Sequence, residues 1–241
     1  MINPFLDFWE ESNLTKYNIR EYGSKMSGFD ADNKELKLSY PNKPTIFKNK
    51  KTKLSRLTAS RKSVRAFGSS YLPLNQIMQI LSQLSAKNKD LEHRSYPSAG
   101  ASYCVETFIL SFGEKQIDNK VLYYDAQHNG IQEITDHNLN KKSIEKLCNI
   151  NYSGTLSALV LFVGLPDRIT IKYSSRGYRF MLIEAGSMLQ QIALGIAQSK
   201  KVSGCPVGGL LDDEILKILN LDQDKALLIT GCIIGALLKK S

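Results

Sequence analysis

The 241-residue chain is 42% hydrophobic and 23% charged, an ordinary globular balance that excludes global disorder and allows one large α/β domain or two small ones. Its formal charge of +9 favours anionic partners, but the basic residues do not interleave with aromatics as a base-stacking platform does, so nucleic acid is not expected. Apolar runs such as Leu156–Leu165 and Ala226–Ile229 fall short of the roughly 20 residues a membrane span needs, and Met1–Asp7 has no basic lead into an apolar core, so a cytoplasmic protein is expected.

Residues 1–55 are polar, lysine-rich and broken by Gly28, Pro41 and Pro44, and read as an N-terminal extension with one or two short helices around Leu6–Tyr17. From residue 56 to 241 the pattern is that of one packed domain. Leu74, Ile77, Met78, Leu81 and Leu84 recur at helical spacing. Thr107–Phe112 and Val121–Asp125 read as strands, with a turn at Gln127–Gly130. Leu156–Leu165 has the continuous apolar pattern of a strand buried on both faces.

Phe180–Lys200 is the strongest helix. Met181, Ala185, Met188, Leu189, Ile192 and Ile196 form its apolar face, and Glu184, Ser187, Gln191 and Gln198 a polar stripe. So apolar a helix is expected to be central, at a subunit interface. Asp212–Leu221 reads as a short helix and Ala226–Ala236 as a last buried strand. The alternation gives an α+β (mixed α/β) fold.

The cysteines Cys104, Cys148, Cys205 and Cys232 form no C-x-x-C pair and have no histidine at ligand spacing, so buried free thiols are expected and no metal site. His93, His128 and His137 are scattered in polar surroundings.

Four short motifs can carry chemistry, and each alone also fits a turn or a solvated stretch. Arg61-Lys62-Ser63-Val64-Arg65, expected just before a helix, offers guanidiniums and a hydroxyl at alternate positions, able to converge on phosphate and a polar ring edge. Tyr96-Pro97-Ser98-Ala99-Gly100-Ala101 permits close backbone approach to a flat ligand, with Ser98 as a hydrogen-bond donor. Cys205-Pro206-Val207-Gly208-Gly209-Leu210 lets backbone N–H groups face a ligand edge, without the spacing of a dinucleotide fingerprint. In Ile171–Arg179, Lys172 beside Tyr173 favours the phenolate electrostatically and so creates a general base.

The order R-x-S-x-R, P-S-x-G, long buried helix, P-x-G-G and terminal apolar strand resembles the nitroreductase flavoprotein superfamily. More narrowly, K-Y-x-x-R-G-Y-R from Lys172, followed by E-x-G-S-M from Glu184 and the Gln190–Gln191 pair, resembles the SagB-type azoline dehydrogenases, the flavin subunits of synthetases that make thiazole- and oxazole-containing peptides. The resemblance covers residues 55–236. It implies a homodimer with a mostly antiparallel central sheet flanked by helices, and FMN at the dimer interface. Arg61, Ser63 and Arg65 would hold the ribityl, phosphate and pyrimidine edge, and Pro206, Val207, Gly208 and Gly209 would line the isoalloxazine. Pro97, Ser98, Ala99 and Gly100 would come from the neighbouring subunit, and Lys172 and Tyr173 would be the catalytic pair.

Where many nitroreductases place a C-terminal arginine for the phosphate, this chain has Lys239 and Lys240. The implied reaction is oxidation of peptide thiazolines or oxazolines to thiazoles or oxazoles, with cyclodehydratase subunits and an azoline-containing precursor peptide as partners. The alternatives are a general NAD(P)H-dependent nitro or quinone reductase, which needs no Lys-Tyr pair, and a mainly structural subunit of a modification complex.

Overall fold

Leu156–Gly164 is buried along its whole length and lies inside a six-stranded sheet, as its unbroken apolar pattern requires. The computed structural model describes residues 4–27, 43–48, 50–86, 93–113 and 117–238; the lysines at 239 and 240 lie outside them. The first half of the chain forms α1 (Pro4–Ser12), α2 (Ile19–Ser27), α3 (Lys53–Ser60), α4 (Leu74–Leu81), β1 (Val105–Ser111), β2 (Lys120–Asp125) and β3 (Gly130–Asp136). Then come α5 (Lys141–Leu147), β4 (Leu156–Gly164), α6 (Pro166–Tyr173), α7 (Gly177–Gln198), β5 (Val202–Val207), α8 (Asp212–Ile218) and β6 (Leu227–Ala236).

The strand order is β3-β2-β1-β4-β6-β5, and every neighbouring pair is antiparallel. The fold is α+β, with helices on both faces of the sheet. Met181, Ala185, Met188, Ile192 and Ile196 of α7 join Ile77, Ile80 and Leu81 of α4 in the core on one face. Ile144 and Leu147 of α5 and Ile215 and Leu216 of α8 build the core on the other. Each buried Met, Leu or Ile among these stabilises the fold by about 1.5–3 kcal/mol. The four cysteines are buried free thiols.

Several elements depart from the sequence expectation. β3 is largely exposed and so carries no apolar alternation. β5 contains Ser203, Gly204 and Pro206, poor strand formers; it lies at the sheet edge, where a proline is tolerated. His137 is not in polar surroundings but buried against the Phe112 ring, 5.0 Å between centroids. Its neighbour contact to the Ser111 carbonyl oxygen is 3.1 Å, and burial holds the imidazole below its usual range.

Pro166–Gln198 is long and apolar enough by composition to cross a membrane, yet Ser174, at φ 47°, interrupts it and α7 packs its apolar face into the core. The N-terminal residues also touch the main body. Leu14 is buried, Trp9 packs on the α7-side core, and Asn13 Nδ2 donates to Asp213 Oδ1 at 3.1 Å.

Candidate active site

The sheet register brings two of the motifs to one end of the sheet. Val105 at the start of β1 pairs with Gly164 at the end of β4, which pairs with Leu227 at the start of β6. Val207, at the end of β5, pairs with Gly231, midway along β6. The Pro97–Gly100 motif, just before β1, and the Lys172–Tyr173 pair, in the helix after β4, therefore meet. The Pro206–Gly209 motif leaves β5 heading toward that end, on the far side of the sheet.

In the first group, residues 99–101 form one 3₁₀ turn, with Gly100 at φ 57°, Ala101 at φ 51° and Tyr103 at φ 42°. Left-handed backbone at two non-glycine residues is costly and persists only where the surroundings over-determine it. Lys172 Nζ donates to the Gly100 carbonyl oxygen at 2.8 Å. Tyr173 Oη lies 2.7 Å from where a Cβ on Gly100 would sit, so the phenol rests directly on that residue. The Tyr173 ring meets Phe180 edge-on at 5.0 Å. Residues 171–179 form the end of α6, a 3₁₀ turn and the start of α7.

The turn is held from behind by α7. Ser98 Oγ accepts from the Tyr103 N–H at 2.8 Å and donates to Glu184 Oε2, so its hydroxyl is engaged within the chain. Glu184 also accepts from the Val105 N–H at 3.1 Å and from the Cys104 thiol. Glu184 was expected on a polar stripe but is 1% exposed. Burial raises its carboxyl above the usual range, opposed by the hydrogen bonds from Ser98, Val105 and Cys104. Gln191 Nε2 donates to the Ser95 carbonyl oxygen at 2.9 Å. Arg168 donates to the Tyr103 carbonyl oxygen and pairs with Glu106, and the Arg94 guanidinium lies 4.2 Å from the Tyr103 ring centroid.

Glu184, Gln191, Arg94 and Arg168 were not singled out from the sequence as site residues. The available signal was the seven-residue spacing of Glu184 and Gln191, which puts both on one face of an otherwise apolar helix.

The second group forms at the β5 edge. Arg61–Arg65 does not lead straight into a helix: it follows α3 in extended conformation, and α4 begins only at Leu74. The Val64 N–H donates to the Gly204 carbonyl oxygen at 2.8 Å, laying this segment along the open edge of β5. Arg61 Nη1 donates to Ser63 Oγ at 3.3 Å. Among the described residues neither Arg61 nor Arg65 has a carboxylate partner. The Val207 side chain is buried in the α8-side core, so only its backbone is available at this end. A Cβ on Gly208 would meet nothing within 4 Å, leaving open space beside the strand end. Paired guanidinium and hydroxyl donors beside an open glycine backbone fit a phosphate and a flat ring edge.

In one chain the two groups are at least three strand spacings apart across the sheet, about 14 Å at roughly 4.8 Å per step. At this end of the sheet a cavity of about 660 Å³ lies between α1 and α8, lined by Glu10, Asp167, Asp212, Asp213 and Asp224. Burial, with Asp213 and Glu214 nearby, pushes the Asp212 carboxyl up to about 8.

The sequence profile of the nitroreductase family matches residues 58–235. A protein of Methanocaldococcus jannaschii named as a nitroreductase is 25% identical over 177 residues, 73% of this chain and 89% of that one. The microcin B17-processing protein McbC of Escherichia coli is 28% identical over 152 residues, 60% of this chain and 54% of that one. Among solved structures, the E. coli microcin synthetase McbBCD complex with truncated pro-MccB17 matches with a TM-score of 0.74 at 20% identity, over 99% of this chain and 95% of that one. A Ralstonia eutropha protein described as a nitroreductase matches with a TM-score of 0.66 at 19% identity, over 82% and 89%.

Proposed function

The chain belongs to the nitroreductase family, and on that premise we propose that it is an FMN-dependent dehydrogenase that oxidises peptide thiazolines or oxazolines to thiazoles or oxazoles. The observation that carries this reading is the convergence of Lys172 and Tyr173 on the Gly100 turn. A simple flavin reductase has no use for a fixed phenol and ammonium at this place. The likeness to McbC, a microcin-processing protein, supports the same reading.

Arg61, Ser63 and Arg65 hold the phosphate, ribityl and pyrimidine edge of FMN, and the backbone of Pro206–Gly209 lines its ring. In a homodimer the partner's Pro97–Gly100 turn closes the other side. The exposed Leu182 and Ile183 on α7 suit the required interface. Because the two groups are separated within one chain, the Lys172–Tyr173 pair then serves the cofactor held by the partner copy.

Aromatising an azoline removes one proton and one hydride from adjacent ring atoms. When bound, FMN supplies the acceptor for the hydride and its two electrons. We assign Tyr173 Oη as the acceptor of the carbon-bound proton. Lys172 is fixed to the carbonyl of Gly100, the residue on which the phenol rests. The turn and Phe180 fix the phenol's position, which a proton transfer requires. Cyclodehydratase subunits supply the azoline-bearing peptide.

The likeness to the M. jannaschii protein favours a second reading, a nicotinamide-driven reductase. Flavin-loaded protein incubated with cyclodehydratase-treated peptide separates the two. Mass spectrometry should show two hydrogens lost per ring, whereas rapid NADH bleaching of the flavin without ring oxidation supports the reductase.

A further inference from the structure

We infer that Glu184 is a positioning residue for this reaction: from α7 it sets the Ser98–Gly100 turn that seats Lys172 and Tyr173. The inference rests on the proposed role of that pair. Carboxylates are rarely buried, because losing water is costly unless hydrogen bonds replace it. Glu184 is 1% exposed, and three donors from the segment 98–105 replace its water: the Ser98 hydroxyl, the Val105 N–H and the Cys104 thiol. Ser98 makes the connection specific. Its oxygen also accepts the Tyr103 N–H, so one hydroxyl closes the loop from 98 to 103 and ties that loop to α7.

Inside the loop lie the three left-handed residues Gly100, Ala101 and Tyr103. The Gly100 carbonyl receives Lys172, and its bare α-carbon faces Tyr173. A contact path therefore runs from Glu184 through Ser98 and Gly100 to both members of the pair. Gln191, two helical turns further along α7, fixes the loop's approach by its bond to Ser95. A carboxylate that served only as a fold anchor for β1 would need the Val105 N–H alone. Its second oxygen is committed to the turn instead.

The test is a double-mutant cycle of Glu184→Gln and Tyr173→Phe in full-length, FMN-loaded protein, assayed with the azoline peptide and the cyclodehydratase. Glu184→Gln keeps the volume and an acceptor for Val105 but loses the charge that holds Ser98. We expect kcat per bound flavin to fall about 10²-fold with KM little changed, the scale of a small misplacement at a reacting group. In the Tyr173→Phe background the same change should cost almost nothing further, because it acts through the phenol. Amide hydrogen exchange at Tyr103 and Val105 should quicken in the same variant, a readout independent of activity.

Full multiplicative costs in the cycle, unchanged kcat per flavin, or unchanged exchange at both amides would overturn the inference. A normal rate in Tyr173→Phe alone would sink the catalytic reading instead, and the exchange measurement would still report whether Glu184 holds the turn. Should Glu184→Gln fail to fold, Ser98→Ala breaks the same path and is read in the same way.

Discussion

Lys172 and Gly100, 72 positions apart in sequence, are joined by a 2.8 Å hydrogen bond from the lysine ammonium to the glycine carbonyl. The bond ties the last turn of α6 to the turn before β1, and the neighbouring Tyr173 lies against the same glycine. The proposed chemistry depends on that juncture.

A methyl group at this juncture should be felt at once. In Gly100→Ala the added Cβ would lie 2.7 Å from Tyr173 Oη, and the residue would have to keep φ at 57°. We expect a stability loss of about 1 kcal/mol from the backbone strain. Azoline oxidation should fall about 10²-fold because the phenol is displaced. Thermal denaturation and steady-state kinetics check the two effects separately.

Arg61→Ala should fail by losing cofactor. Removing a charge-assisted hydrogen bond costs about 1.5–3 kcal/mol, so FMN affinity should weaken roughly 10- to 100-fold while the fold is kept. Flavin fluorescence released on heating, per mole of protein, measures this directly.

Mixed dimers test whether each site is shared between copies. If Tyr173 serves the partner's flavin, a heterodimer of Arg61→Ala and Tyr173→Phe chains holds one intact site and one doubly defective site. Co-expression in equal amounts makes half the dimers mixed, so about one quarter of the wild-type rate should return. If both residues serve the same flavin, no dimer has an intact site and the rate stays near that of the separate variants.

Much of this architecture was legible beforehand, for a physical reason. β1, β2, β4, β6 and α7 carry their burial in the sequence as apolar runs or helical spacing, and the structure places them where that spacing indicates. β3 could not be read because its side chains face water, nor β5 because its pairing to β6 overrides the weak strand preference of Ser203, Gly204 and Pro206. The Lys-Tyr pair and the glycine turn were visible as motifs, but their contact is tertiary. Glu184 was read only as part of a polar stripe on α7. Its burial depends on donors from residues 98–105, about 80 positions away, which no local pattern encodes.

Stability should depend on pH through Asp212. Its carboxyl stays protonated in the folded chain up to about 8, because burial and then Asp213 and Glu214 disfavour the charge. The unfolded carboxyl ionises near the ordinary aspartate value of about 3.9. Between these values only the unfolded state has released its proton, so this contribution to stability is fully present below about 4 and is lost as the pH rises through about 8. Asp212→Asn should remove that slope. Melting temperatures of the two proteins should converge near pH 4 and separate toward pH 8, with the variant the more stable; parallel curves would place the carboxyl's titration elsewhere.

The most direct measurement is the product formed by Tyr173→Phe. Loss of one hydroxyl outside the flavin-holding motifs should leave fold, dimer and FMN content as in the wild type. Loss of a positioned general base costs about 10²–10⁴-fold in rate. Mass spectrometry of a precursor peptide treated with cyclodehydratase and this variant should therefore show azoline rings accumulating without their final two-hydrogen loss. Azole rings formed at the wild-type rate by flavin-loaded Tyr173→Phe would contradict the assignment and favour the nicotinamide-driven reductase.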